Sequence, residues 1–177
     1  MQTNIKANSF KVWRTVELGT FKKRSDLLDA LSKAKKDICV DGSDNDMLTR
    51  MSIAKERTRL SLVKIRPKDI GFVIPTTRYG QKIFNSSQLN RHALSVGLHL
   101  CPEEVAPQLC LQGPLHIRYP DFIHVGMKPK EIRWNDNDYG DGPGSNEIVW
   151  SVGINGLCPS LGGYHHDDEY WIYVKGN

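Results

Sequence analysis

With 177 residues and 39% hydrophobic content, the chain is long enough to bury a core of its own, and a single domain spanning 1–177 is expected, with residues 1–9 as a flexible tail. No apolar run approaches the roughly 18 residues of a membrane span, and the opening MQTNIKANSF lacks the apolar centre of a secretory signal, so a cytoplasmic protein without a membrane partner is expected. The formal net charge of +4 conceals a division, because residues 1–91 hold 19 Lys and Arg against 9 Asp and Glu, whereas residues 92–177 hold 5 against 11. If the halves fold as separate faces, the first attracts polyanions; if they interleave in one sheet, the charges partly cancel.

In chain order, Phe10 to Leu18 alternates as a first strand, with Gly19 as its end. Ser25 has the chemistry of a helix N-cap, and Leu27, Leu28, Leu31 and Ala34 form the apolar stripe of a helix reaching about Lys36. Around that stripe stand Lys22, Lys23, Arg24, Lys33, Lys35 and Lys36. The acidic DGSDND segment, Asp41 to Asp46, lacks the sixth-position glycine and twelfth-position glutamate of a calcium loop, so it reads as a turn before a short helix at Met47–Met51. Arg59 to Ile65 is the clearest strand, stopped by Pro67, and Phe72 to Ile74 can rejoin the core. The loop with Thr76, Thr77, Arg78, Tyr79 and Lys82 offers phosphate contacts before Ser86 or Ser87 caps the next helix.

That helix runs to Val96 and is closed by Gly97. In the block LHLCPEEVAPQLCLQ, Leu98 to Gln112, Pro102 opens a very short helix, Glu103 and Glu104 favour its positive end, and Pro107 ends it, leaving Leu109 and Leu111 extended. Strands follow at Phe122–Met127 and Glu147–Ile154, joined by the glycine-rich acidic stretch Asn135 to Asn146. Asn155-Gly156 signals a hairpin, and YWIYV, Tyr170 to Val174, a last strand. The pattern is α+β: one domain, a mainly antiparallel sheet, and two or three helices packed on one face.

The Leu98–Gln112 block fits Leu-x-Leu-Cys-Pro-x-Glu-Val-x-Pro-Gln-Leu-x-Leu-Gln. The opening fits Lys-Val-Trp-x-Thr at Lys11–Thr15 and Leu-Gly-Thr at Leu18–Thr20. With the helix Ser86–Val96 and the strand Phe122–Met127, these pieces resemble an uncharacterised family of small bacterial proteins. The resemblance implies no established activity. The loop around Arg78 to Phe84 and the Gly-rich acidic tail depart from the family pattern.

Chemistry concentrates in GYHHDDEY, Gly163 to Tyr170. Its imidazoles and carboxylates could hold a divalent metal through His165, His166, Asp167 and Asp168, serving hydrolysis. Adjacent strand residues face opposite ways, so His165 with Asp167 needs a partner such as His116 or His124; a solvated turn is the competing account. Cys39, Cys101, Cys110 and Cys158 form no CxxC pair and read as buried thiols, while pairing Cys101 or Cys158 with His99 or His165 is a weaker catalytic arrangement. Trp13, Trp134, Trp150 and Trp171 read as core anchors.

The leading expectation is a binding protein without a cofactor, whose basic N-terminal helix, with Arg78 and Lys82, contacts nucleic acid or an acidic protein; surface lysines that only solvate the fold are the competing account. A metal-dependent hydrolase or nuclease and a regulatory protein acting through protein contact are the alternatives. The sequence does not fix an oligomeric state.

Overall fold

A computed structural model describes residues 9–38, 50–76, 84–113, 122–131, 147–153, 156–161 and 168–176. The turn at Asp41–Asp46, the loop residues Thr77 to Lys82, His116, Trp134 and the acidic stretch Asn135–Asn146 lie outside the described residues. So do His165, His166 and Asp167.

The elements are β1 (Arg14–Leu18), α1 (Arg24–Lys33), β2 (Asp37–Ile38), β3 (Thr58–Ile65), α2 (Ser86–Ser95), α3 (Val105–Leu111), β4 (Ile123–Val125), β5 (Lys130–Glu131), β6 (Glu147–Val152), β7 (Gly156–Leu161) and β8 (Tyr170–Val174). A 3-10 turn, Pro67–Ile70, follows β3. The strands form one curled sheet in the order β1-β3-β8-β4-β6-β7-β2, with β5 beside β6. Pairing is antiparallel except at β4–β8 and β2–β7. Among the described residues, three helices and this mostly antiparallel sheet make the fold α+β. Among the described residues, no helix is long and apolar enough to cross a membrane.

The last strand is the centre. Trp171, Ile172 and Tyr173 are consecutive and fully buried, which requires cover on both sheet faces. β8 accordingly lies between β3 and β4. The basic and acidic halves of the sequence therefore interleave: β3 from the first pairs with β8 from the second, and β2 with β7.

Local signals place most elements, with instructive shifts. The first strand begins at Arg14, not Phe10, although Trp13 N–H still donates to Leu62 O at 2.8 Å. Helix α1 is capped at Lys23 without a side-chain bond; Ser25 Oγ donates to Asp26 Oδ1 instead. It ends at Lys33, where Lys35 N–H bonds Ser32 O and Lys36 N–H bonds Leu31 O. This Schellman closure holds Lys35 at φ 52°, a conformation usually left to glycine.

Asn85, and not Ser86 or Ser87, caps α2: its side chain accepts from Gln88 N–H, while Gln88 Oε1 accepts from Asn85 N–H. Gly97, at φ 86°, ends α2 as the sequence implies. Helix α3 corrects the reading of the block. It starts after Glu104 and runs through Pro107 to Leu111. Proline is tolerated there because the first turn leaves its N–H groups unpaired, so none is lost. Leu109 is thereby buried in a helix. Phe72 and Ile74 pack half-buried against the core, as expected, without forming a strand, and Val73 between them is 85% exposed. β6 and β7 pair antiparallel, Gly156 opens β7 and Gly153 N–H is bonded to Gly156 O, while Asn155 lies outside the described residues.

Two sequence-distant segments meet through α3. Glu104, Gln108 and Gln112 recur at four-residue spacing and so share a helix face. Glu104 Oε1 accepts from Gly19 N–H at 3.0 Å, Gln108 Nε2 donates to Thr20 Oγ1 at 2.7 Å, and Gln112 engages Glu17. The polar positions of the Leu98–Gln112 block thus grip the end of β1, including the Leu-Gly-Thr step. Glu103 and Glu104 were expected to favour the helix end; they instead hold the backbone at Ser52 and Ala54.

Candidate functional site

One part of the described sheet alternates cations with aromatic rings. Lys64 pairs in register with Ile172, and the two-residue repeat puts Arg66 and Tyr170 on the same face. Lys64 Nζ lies 5.5 Å from the Trp13 ring centroid and 4.4 Å from that of Tyr170. Arg14 Cζ lies 5.4 Å from the Trp13 centroid, and Arg66 Cζ 5.8 Å from that of Tyr170. The order is Arg14, Trp13, Lys64, Tyr170, Arg66. All five side chains are half-buried, so each is fixed against the sheet while one part meets solvent. Asp69, 3.2 Å from Arg66, holds that guanidinium more firmly protonated by hydrogen bonding and by its charge.

The cations proposed around α1 fall into two groups. Lys22 and Lys23 are exposed before the helix, Lys33 and Lys35 are exposed at its far end, and Arg24 and Lys36 are half-buried. A ten-residue helix spans about 15 Å. Asp26 and Asp29 are exposed between the two groups, so the helix presents cationic ends with a mixed middle. Arg78 and Lys82 lie outside the described residues.

A second constellation joins three strands. His124 and Ser151 are register partners on β4 and β6, with His124 Nδ1 2.7 Å from Ser151 Oγ. His124 Nε2 is 3.2 Å from Glu169 Oε2, one residue before β8. The ring lies on its other register partner, Trp171, with centroids 4.9 Å apart. With the Nε2 hydrogen directed at Glu169, Nδ1 accepts the Ser151 hydroxyl hydrogen. This is the order of a serine relay, with the two ring nitrogens exchanged relative to the familiar triad. Ser151 is 2% exposed and His124 6%, whereas the Glu169 side chain is 27% exposed.

Of the metal-ligand set, Asp168 is exposed in a turn. Among the described residues no group of three His, Cys, Asp or Glu side chains is placed to hold a metal ion. Sequence reasoning named His124 as a partner for the histidine cluster; its described carboxylate partner is Glu169. The Cys101 thiol is buried and directed at Ile172 O, and burial pushes its pKa far up, so it is no nucleophile. Burial likewise pushes the Cys110 thiol up to about 12, against a lowering by nearby Lys36. A shallow cavity of about 390 Å³, lined by Phe72, Pro75, Gln88, Arg91, His92 and Ser95, lies along the outer side of α2.

Sequence reasoning missed the strip and the relay. Trp13 packs half-buried against the core, as expected, and Lys64, Arg66, Tyr170 and Ser151 carry no motif. The faint signal was Lys64 and Arg66 at two-residue spacing; their neighbours depend on strand register. Comparison with known protein families, with curated proteins and with solved structures finds no match to this chain.

Proposed function

We propose that the chain is a nucleic-acid-binding protein that makes contact through the strip from Arg14 to Arg66, with the lysines at both ends of α1 as further phosphate contacts. The carrying observation is Lys64 Nζ between the Trp13 and Tyr170 rings, flanked by two arginines. Cations release condensed counterions from a phosphate backbone, and ring faces suit bases. A fluorescence-anisotropy titration of labelled DNA and RNA at low and high salt tests this. The expected result is salt-sensitive binding, weakened by Lys64→Gln and, with a shallower salt slope, by Lys33→Gln with Lys35→Gln. No binding at low salt overturns the proposal; an acidic protein then becomes the partner to seek, with Arg78 and Lys82 among its candidate contacts.

A hydrolase is the second reading, favoured by the Ser151–His124–Glu169 contacts. Ser151 Oγ would form an ester bond to an acyl carbon or phosphorus as the bond to the leaving group breaks; its proton passes to His124 Nδ1 and on to that leaving group, Glu169 steadies the imidazolium, and water then hydrolyses the serine ester. Labelling by a small fluorophosphonate, lost in both Ser151→Ala and His124→Ala, supports it; absence of labelling removes it. The metal-dependent form, through His165, His166, Asp167 and Asp168, predicts chelator-sensitive hydrolysis that His165→Ala abolishes.

A further inference from the structure

Resting on that nucleic-acid reading, we infer that the strip selects single strands, taking two neighbouring unpaired bases on Trp13 and Tyr170. The two ring centroids lie no more than about 10 Å apart, because Lys64 Nζ is 5.5 Å from one and 4.4 Å from the other. That distance is within reach of adjacent nucleotides of one chain. In a duplex, bases are paired and stacked on each other, so their faces are closed to protein rings, whereas a single strand can turn them outward.

The cation positions fit the same ligand. Lys64 stands between the rings, where the phosphate linking two bases would pass, and Arg14 and Arg66 stand outside them, where the next phosphates would lie. The backbone that carries the rings is also held in advance: the main-chain N–H of Trp13 donates to Leu62 O, and Tyr170 is set by the β4–β8 register opposite Ile123, so the two strand positions need not be ordered on binding. Neither ring is fully buried, unlike Trp150 and Trp171, whose faces the core occupies.

The experiment is an anisotropy comparison of a labelled ten-nucleotide oligothymidylate, an oligouridylate of equal length and a duplex of mixed sequence, with the full chain and its variants. The expected result is tighter binding of both single strands than of the duplex. Trp13→Ala and Tyr170→Ala should each weaken single-strand binding roughly tenfold and duplex binding by clearly less, so that the preference for single strands shrinks. Trp13→Phe and Tyr170→Phe, which keep a ring, should retain most of the affinity, and thermal unfolding identifies any variant that has lost its fold. Equal affinity for single and double strands, or weakening by Lys64→Gln with no response to either ring deletion in folded protein, overturns the selection of single strands while nucleic-acid binding stands. No binding of any oligonucleotide at low salt overturns both.

Discussion

The side-chain amide of Gln112 makes a two-point contact with the backbone of Glu17: Oε1 accepts from Glu17 N–H at 2.8 Å, and Nε2 donates to Glu17 O at 2.6 Å. Among the described strands β1 is the outermost on its side of the sheet, and an unpaired edge invites pairing with another chain. Gln112 occupies that edge as a peptide group of a neighbouring strand would. Its Nε2 also donates to Gln108 Oε1, and Gln108 Nε2 donates to Glu104 Oε1, so the edge contact continues into a buried polar row.

The strongest link in that row is Glu104, fully buried and receiving hydrogen bonds from Gly19 N–H, Ala54 N–H and Gln108 Nε2. Glu104→Ala strands two backbone donors, each costing about 1–3 kcal/mol when buried and unpaired. Urea unfolding should show a loss of about 3 kcal/mol. Gln112→Ala, nearer solvent, should lose about 1 kcal/mol. Equal, negligible effects would mean that the row does not hold β1.

A second buried network joins α2 to the sheet. Tyr173 Oη donates to Asn90 Oδ1 at 2.8 Å, and Asn90 Nδ2 donates to Met127 O at 2.7 Å. The ring lies against Gly126, where an added Cβ would come within 2.2 Å of Tyr173 Cε1. Gly126→Ala must displace a fully buried ring and should cost about 1–3 kcal/mol in thermal or urea unfolding. Tyr173→Phe should cost about 1–2 kcal/mol by leaving Asn90 short of a donor.

Lys35 closes α1 at φ 52°, where its Cβ crowds the backbone. Lys35→Gly relieves that crowding, and the exposed side chain makes no described contact to lose. An increase in unfolding free energy of about 1 kcal/mol is expected. A decrease would show that the more flexible unfolded chain outweighs the relief.

The buried thiols give a pH signature. Cys110 ordinarily titrates near 9 and is raised to about 12 in the fold, so below pH 9 neither state ionises it. Above pH 9 the unfolded state loses its proton first, and stability should fall between about 9 and 12 by an increment that Cys110→Ser removes. In a Cys39→Ser, Cys158→Ser background, Cys101 and Cys110 should resist a disulfide reagent at pH 8 until denaturant is added. Rapid native-state reaction would contradict their burial.

Much of the fold was legible because it is written locally. The consecutive apolar residues at Trp171–Tyr173 require cover on both sides, and Gly97 marks a helix end through its own backbone freedom. The errors arose where two local signals competed. Pro107 reads as a stop, yet in a first turn it costs no hydrogen bond, and Ser25 lost the cap to Lys23, two residues earlier.

The candidate sites were less legible, since their members come from strands distant in sequence. Nothing local says that Ser151 faces His124, or that Lys64 lies between Trp13 and Tyr170; a shift of one residue in either register would send these side chains to opposite faces. By itself the sequence determined the α+β class, most strand and helix positions and the closing glycine of α2, because periodicity and backbone freedom belong to single segments. Only the tertiary structure decided the interleaving of the two charge halves, the grip of Glu104, Gln108 and Gln112 on β1, and the cation–aromatic strip. Each of these depends on pairing between remote segments, which is settled by burial of the whole core.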